Sequence, residues 1–389
     1  MKDVNFKQTQ DALFLEEEHI ILREQLKKFV ENEVKPVAQN WEAEGFIPRE
    51  VFTKMGALGF LGITYPTEFG GSEMDARASV VFAEELGKST FSGFAIASLV
   101  HTDMASVHLL NAGNLEQKEK YLSDIVSGNK ISCVAVTEPH AGSDVKNIRT
   151  KAQKVGNKYL INGSKIFITN GVHADIYFVA AKTSDALQQS GNITMFIVKK
   201  DNPGLIINKE LDKHGWRCSD TAELFFQDCE VEEEDVLGTL HRGFYAIMQN
   251  FQNERLVMGA MAMGEAQAAI DCTVEYVKQR DAFGGKLWEK QSVRHKLAEL
   301  QSKVTAARYM VYGVANKVRH AIEVIKEVSM IKVLCGELVN EVMYTCLQLH
   351  GGTGYMTGTE IERLTRDARA QSIGGGATEV MLEEVAKRM

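Results

Sequence analysis

Residues 248–261, MQNFQNERLVMGAM, hold a carboxylate where a helix would bury an apolar side chain. At intervals of three and four residues the stripe reads Ile247, Phe251, Glu254, Met258 and Met261, with Glu254 the one polar member. An acid in such a face is expensive to bury ionised, so its pKa is expected to rise toward neutrality. That suits a general base taking a weakly acidic proton near pH 7. From the helix alone a second reading stands beside it: Glu254 as the ion-pair partner of a bundle arginine or lysine.

Three further stretches could do chemistry. In AVTEPHAGSD (135–144), Pro139 and Gly142 force irregular backbone, so Thr137 and Ser143 can present hydroxyls and free amides to a ligand; a plain polar turn is the alternative. In GSKIFITNG (163–171), strand alternation turns Ile166 and Ile168 to the core and Lys165, Phe167 and Thr169 the other way. An aromatic plane beside a hydroxyl suits a flat heteroaromatic ring, and an ordinary solvent-facing edge is the competing reading. LHGGTGYMTGTEIERLTRDAR (349–369) fails as G-x-G-x-x-G and lies between helices, so no Rossmann site is supported. Its glycines read either as a turn between packed helices or as a place where backbone approaches a cofactor closely.

Elements must position these residues. The 389 residues are too many for one compact core and suggest two or three domains. Residues 1–130 read as helices. The first carries Leu22, Leu26, Phe29 and Val30 on one side and stops near Pro36, and another ends at Gly128. Over 131–241 the short β-branched and aromatic runs KISCVAVT, NKYLINGSKIFITNG, ADIYFVAAKT, ITMFIVKK and AELFFQDCEVE, divided by turn residues, predict an antiparallel sheet domain. Over 242–389 there is no proline, and long helical periods at 243–279, 288–318 and 321–347, with a closing segment after Gly376, predict a helical bundle. The expected fold class is α+β.

Composition excludes several classes. No C-x-x-C pair occurs among the six cysteines and no H-E-x-x-H among the ten histidines, which argues against a disulfide framework and a protein-bound metal. A net charge of −8 makes nucleic acid a poor partner. No apolar run approaches the ~18 residues of a membrane span. The first twenty residues lack the pattern of a secretory or transit leader, so a cytoplasmic enzyme is expected.

Taken together, these stretches resemble an acyl-CoA dehydrogenase over essentially the whole chain. VTEPHAGSD is similar to the family's first motif, with its Thr-Glu-x-x-x-Gly-Ser/Thr-Asp core. Gln348, Gly351, Gly352, Gly354, Tyr355, Arg363 and Asp367 match the second, and NGSKIFITNG and QRDAFGGKLWEKQ also fit. The resemblance implies an N-terminal helical domain, a middle antiparallel β-domain, a C-terminal four-helix bundle, bound FAD and a homotetramer. It implies that Val136, Thr137, Gly142, Ser143, Phe167, Ile168 and Thr169 hold FAD from the β-domain, with phenylalanine where many members have tryptophan. Arg280, Phe283 and Gln291 would reach FAD from a neighbouring subunit, and Gln348, Gly351, Gly352, Thr378 and Glu379 would complete the cofactor set. Ser143, Arg255, Gly375 and Gly376 would line the substrate site. His140, Asn147 and Gly358 depart from the usual motifs.

One departure bears on mechanism. Many members carry the catalytic glutamate at the position of Gly375, and a glycine takes no proton. In the isovaleryl-CoA and long-chain types the glutamate stands in an E-R-L segment of the bundle's first long helix, matched here by Glu254, Arg255 and Leu256. The resemblance therefore implies Glu254 as the base in α,β-dehydrogenation of an acyl-CoA thioester to the trans-2-enoyl thioester, with electrons passed to an electron-transferring flavoprotein. The Gly375 amide and the FAD ribitol would hold the thioester oxygen. An acyl or aminoacyl group on a carrier protein is the alternative substrate. Small residues Gly93, Ala95, Ala97 and Ser98 hint at room for more than a short acyl chain.

Overall fold

Leu22 and Leu26 are buried on one side of α1 (Glu17–Phe29), which runs into a π-helical turn, Val30–Val34, and ends before Pro36. The computed structural model describes residue 11 and residues 13–184 and 192–389. Residues 1–10 and 12, part of the stretch on which the leader reading rests, and 185–191, inside the expected β-domain, lie outside these. Short helices α2 (Ala38–Glu44) and α3 (Arg49–Ala57) come next, then α4 (Ala76–Gly87), capped by the Asp75 carboxylate.

Beyond them lie α5 (Ser92–Leu99), a π-helical stretch Val100–Ala105 and α6 (Ser106–Ala112), continuous as one apolar rod of 21 residues. This corrects the expectation that no run is long and apolar enough for a membrane span. With 89% of its apolar window buried inside the protein, the rod reads as a core helix. Helix α7 (Leu115–Val126) closes this part, its N-terminus held by an Asn114–Gln117 capping box.

The middle segment holds β1 (Ser132–Ala135), β2 (Lys151–Val155), β3 (Lys158–Thr169), β4 (Ile176–Lys182), β5 (Ile193–Lys199), β6 (Leu205–Glu210), β7 (Thr221–Glu232) and β8 (Val236–Leu237). Their order is β6-β7-β3-β2-β4-β5-β8, with β1 beside β4. Most pairings are antiparallel, as expected, but β1 runs parallel to β4, so the sheet is mixed. Strand β4 is buried on both faces: Ile176, Phe178 and Ala180 join the helical core while Tyr177, Val179 and Ala181 join a second core inside the sheet. A strand buried on both sides reads as a continuous apolar run rather than an alternation.

The proline-free segment forms α8 (Gly243–Gln279), a small hairpin β9 (Asp281–Ala282) and β10 (Gly285–Lys286), α9 (Gln291–Arg319) and α10 (Ile325–His350). Two short helices, α11 (Glu360–Ala368) and α12 (Thr378–Ala386), pack on α10. Helix α8 spans its expected range, whereas α11 occupies part of the 349–369 stretch expected to lie between helices. Helix α4 lies along α8 and α9, where Glu84 accepts hydrogen bonds from Arg23 (3.1 Å), Arg308 (2.7 Å) and Tyr312 (2.5 Å). The fold is thus an N-terminal helical domain, a middle β-sheet domain and a C-terminal helical bundle.

Candidate active site

Helix α8 buries the stripe of Ile247, Glu254, Met258 and Met261, and Glu254 is only 7% exposed. Among the described residues its carboxylate makes no ion pair. Its side-chain partner is Asn250, one turn earlier, whose amide donates to Oε1 at 2.9 Å. Burial pushes the Glu254 carboxyl up to about 8, against the smaller opposing effects of Asn250 and Arg255. The ion-pair reading fails on this point. Paired buried acids here behave the opposite way: in Glu84, burial is outweighed by Lys88, Arg308 and Arg23, which hold it well below the usual range.

The residue beside it, Arg255, is also buried. Its Nη1 donates to Ser329 Oγ at 3.4 Å, its guanidinium lies 5.5 Å from the Phe251 ring centre, and its Nε has no partner among the described residues.

Gly375 meets the same helix face. Its φ of +65° lies in the left-handed region. A Cβ built there would overlap Met258 Sδ and sit 3.4 Å from Met258 Cε and 3.7 Å from Lys332 Cε. Met258 is one turn beyond Glu254, so it fills the room a side chain at 375 would need. The backbone N–H of Gly375 has no partner among the described residues. Gly376, at φ +115°, backs onto Met381.

In the β-domain the Thr137 carbonyl accepts the Ile166 N–H at 3.0 Å, which docks the 135–144 turn against β3. The alternation expected for β3 breaks here. Pairing slips between Lys165↔Leu224 and Ile168↔Ala222, and Phe167 takes φ +61°. That bulge turns Lys165 inward with Ile168, correcting the expectation that Lys165 faces out with Phe167. Lys165 is fully buried and donates to Val136 O at 2.9 Å and Glu138 Oε1 at 2.8 Å. Burial lowers the Lys165 ammonium to about 8, and Glu138 resists that shift. Phe167 is 66% exposed, Thr169 half-buried, and Ile168 is buried in the sheet core, leaving only its backbone for a ligand. Ser143 and Gly142 are exposed.

Of the remaining expected cofactor residues, Arg280, Phe283, Gln291, Gln348, Gly351 and Gly352 lie toward the far end of α8, whereas Thr378 and Glu379 stay within four residues of Gly375. Arg280, Phe283 and Gln291 sit around the β9–β10 hairpin, all exposed, with Phe283 at 89%. Gln348, Gly351 and Gly352 stand at the end of α10, tied to the end of α8 by the Tyr276 hydroxyl donating to His350 O at 3.2 Å. Glu379 is exposed, and Thr378 donates to Glu337 Oε1 at 2.7 Å. At 1.5 Å per residue, Arg280 lies ~39 Å along α8 from Glu254. The single chain therefore presents two separate clusters. Both suit FAD: open space surrounds a Cβ built at Gly142, Gly351 or Gly352, and the Phe167 and Phe283 rings are held out on left-handed backbone.

Several residues have partners that the sequence reading did not assign. Asn250 carried a visible signal, an amide one helical turn from the acid. Glu138 stands in the first motif, but its pairing with Lys165 gave no signal, since that partner depends on the bulge. Asp367 joins all three domains: its carboxylate accepts the backbone N–H of Ser92 at 3.2 Å and of Trp216 at 2.6 Å. The small residues of α5 do not open a pocket at Gly93, where a Cβ would lie 2.8 Å from Cys218 Sγ.

Known proteins resemble this chain along nearly its whole length. Models of the acyl-CoA dehydrogenase N-terminal, middle and C-terminal domains match residues 16–129, 133–229 and 241–389. The chain is 38% identical over 373 residues to the mitochondrial long-chain specific acyl-CoA dehydrogenase of Mus musculus, across 96% of this chain and 86% of that one. It is 37% identical to the mitochondrial isovaleryl-CoA dehydrogenase of Pongo abelii, across 94% and 87%. The crystal structure of an acyl-CoA dehydrogenase from Geobacillus kaustophilus matches with a TM-score of 0.93 at 39% identity, over 96% of this chain and 98% of that one. A further structure of the same fold, solved as an FAD complex, matches at 0.92 with 26% identity, over 96% and 98%. With all three domain models matched in order along one chain, this protein belongs to the acyl-CoA dehydrogenase family, whose members are FAD-dependent oxidoreductases.

Proposed function

We propose that this enzyme removes the α-proton and β-hydride of an acyl-CoA thioester to give the trans-2-enoyl-CoA, with Glu254 as the base. The observation that carries this reading is the buried Glu254 carboxyl, without an ion pair among the described residues, beside a Gly375 position whose side-chain space Met258 Sδ occupies. Bound FAD supplies the hydride acceptor. Glu254 takes the α-proton, and its raised pKa matches a proton that is itself weakly acidic. The free Gly375 N–H donates to the thioester oxygen as negative charge develops there, an interaction that needs no side chain. Arg255, buried beside the base, organises the acyl pocket. Val136, Thr137, Gly142, Ser143, Phe167, Ile168 and Thr169 hold the flavin end, with Ser143 and Gly376 also toward substrate.

Arg280, Phe283, Gln291, Gln348, Gly351, Gly352, Thr378 and Glu379 serve the remainder of FAD, the first three from a second copy. The ~39 Å between Glu254 and Arg280 supports that division, as does the exposure of Phe283, Tyr344 and Tyr355. We take the assembly to be a homotetramer of chains divided near residues 130 and 241. Six unpaired cysteines suit a reducing compartment, in keeping with a cytoplasmic enzyme of fatty-acid β-oxidation. An electron-transferring flavoprotein takes the electrons. A matching chain, 34% identical with a TM-score of 0.93, comes from a structure described as the electron transferring flavoprotein of Acidaminococcus fermentans.

The test is Glu254→Gln in the FAD-loaded enzyme. Dehydrogenation should fall about 10²- to 10⁴-fold with flavin still bound. Near-normal turnover would sink the assignment. A carrier-protein substrate is the second reading, favoured by a prolyl acyl carrier protein oxidase of the same fold at 30% identity and a TM-score of 0.91. Turnover of one acyl group on CoA and on carrier protein separates the two.

A further inference from the structure

We infer that Asn250 is the positioning residue of this active site: its amide grips Glu254 Oε1 and leaves Oε2 to take the proton. The inference rests on the reading of Glu254 as the base and adds how that base is aimed. Asn250 is 3% exposed, and its Nδ2 reaches three acceptors: Glu254 Oε1 at 2.9 Å, Met104 O at 3.2 Å and Asp103 O at 3.4 Å. The two carbonyls belong to the π-helical stretch Val100–Ala105, where the widened turn disturbs the regular carbonyl ladder.

Those carbonyls decide the orientation of the amide. A carbonyl can only accept, so Nδ2 must face them, and a flipped amide would set Oδ1 against two lone pairs. Asn250 therefore offers Glu254 a donor and never an acceptor. A donor stabilises the carboxylate over the neutral acid, whose O–H would find no acceptor at that oxygen. The cost is visible in the structure: Asn250 Oδ1 is buried with no partner among the described residues. Asn253 braces the same π-helical stretch, donating to Asp103 O at 3.1 Å and Oδ1 at 3.3 Å. Glu254 Oε2 has no side-chain hydrogen bond among the described residues, so it is the oxygen left to react.

Charges around the base come from every packed element. Arg255 stands next to it on α8, Asp103 lies on the π-helical stretch, Lys332 faces Arg255 from α10, and Glu384 and Arg388 act on Arg255 from α12 and the residues after it. None of these hydrogen-bonds to Glu254, so the loss of Asn250 would not be made good by a neighbour.

The experiment compares Asn250→Leu and the smaller apolar Asn250→Val with the parent as FAD-loaded enzyme. Each should move the acid limb of kcat/KM upward by about one pH unit, lowering kcat/KM at pH 7 about tenfold with KM little changed. The pH range over which the melting temperature falls should extend upward by the same amount. If Asn250→Leu does not retain flavin, Asn250→Val, which also removes the donor without adding a charge, carries the test. A folded variant that melts lower but titrates like the parent overturns the inference and assigns Asn250 to packing. Should Glu254→Gln turn over normally, the base assignment falls and this inference with it. An inactive Glu254→Gln beside an unshifted Asn250 variant refutes only the role of Asn250.

Discussion

Gly375→Ala is the perturbation that asks whether the missing side chain at this position is enforced by packing. The structure sets two costs. Alanine at φ +65° occupies left-handed backbone, at ~1–2 kcal/mol for an L-residue. The new Cβ would also overlap Met258 Sδ, in a side chain only 2% exposed, so relief must come from displacing a packed methionine at ~1–3 kcal/mol. The sum is ~2–5 kcal/mol. The second cost belongs to Met258 alone, so Met258→Ala in the same chain should remove it. Met258→Ala by itself leaves a cavity worth ~2–5 kcal/mol, part of which the alanine methyl at 375 would refill. Calorimetric melting of the parent, both single variants and the double variant as holoenzyme should give a double variant ~1–3 kcal/mol better than additive. Strict additivity would refute the idea that Met258 fills the space of the absent side chain. The same result would remove the structural reason for finding the base on α8.

Two further perturbations probe the frame around the site. Glu84→Gln leaves Arg23, Arg308 and Lys88 with an uncompensated share of buried positive charge, and truncating one partner of such a cluster costs ~3–5 kcal/mol. A melting temperature within experimental error of the parent would show that the cluster does not hold α4 to the bundle. Glu265 is fully buried, Gln371 Nε2 donates to both its oxygens, and burial pushes its carboxyl up to about 8. Because this folded value lies above the ordinary 4.5, the stability it contributes is complete below about pH 4.5 and is lost as pH rises through about 8. Glu265→Gln should therefore melt like the parent near pH 5 and above it at pH 9, by up to ~5 kcal/mol as an upper bound. A difference independent of pH would mean Glu265 is already ionised in the folded protein.

Much of this was legible in the chain because it arises from local periodicity. Helix α8 needs only an unbroken 3.6-residue pattern without proline, and its boundaries can be read directly from the sequence. The buried acid was legible for the same reason, since one odd member of an apolar stripe is a local fact. Strand β3 was not fully legible: period-two alternation assumes unbroken pairing, and the bulge at Phe167 reverses which face Lys165 takes. Helix α11 hid behind the glycines before it, because turn residues mark the end of one element without specifying the type of the next.

By itself the sequence determined the succession of helices, strands and helices, the helix that bears the acid, and the glycine that cannot replace it. Only the tertiary structure decided what surrounds Glu254. No arginine or lysine among the described residues pairs with its carboxylate, an amide locked by two carbonyls of a distant helix does, and Met258 closes the position at Gly375. The physical reason is that a pKa and an orientation depend on desolvation and on partners brought from far along the chain. Asp103 stands 147 residues from Asn250, and no local pattern encodes that meeting.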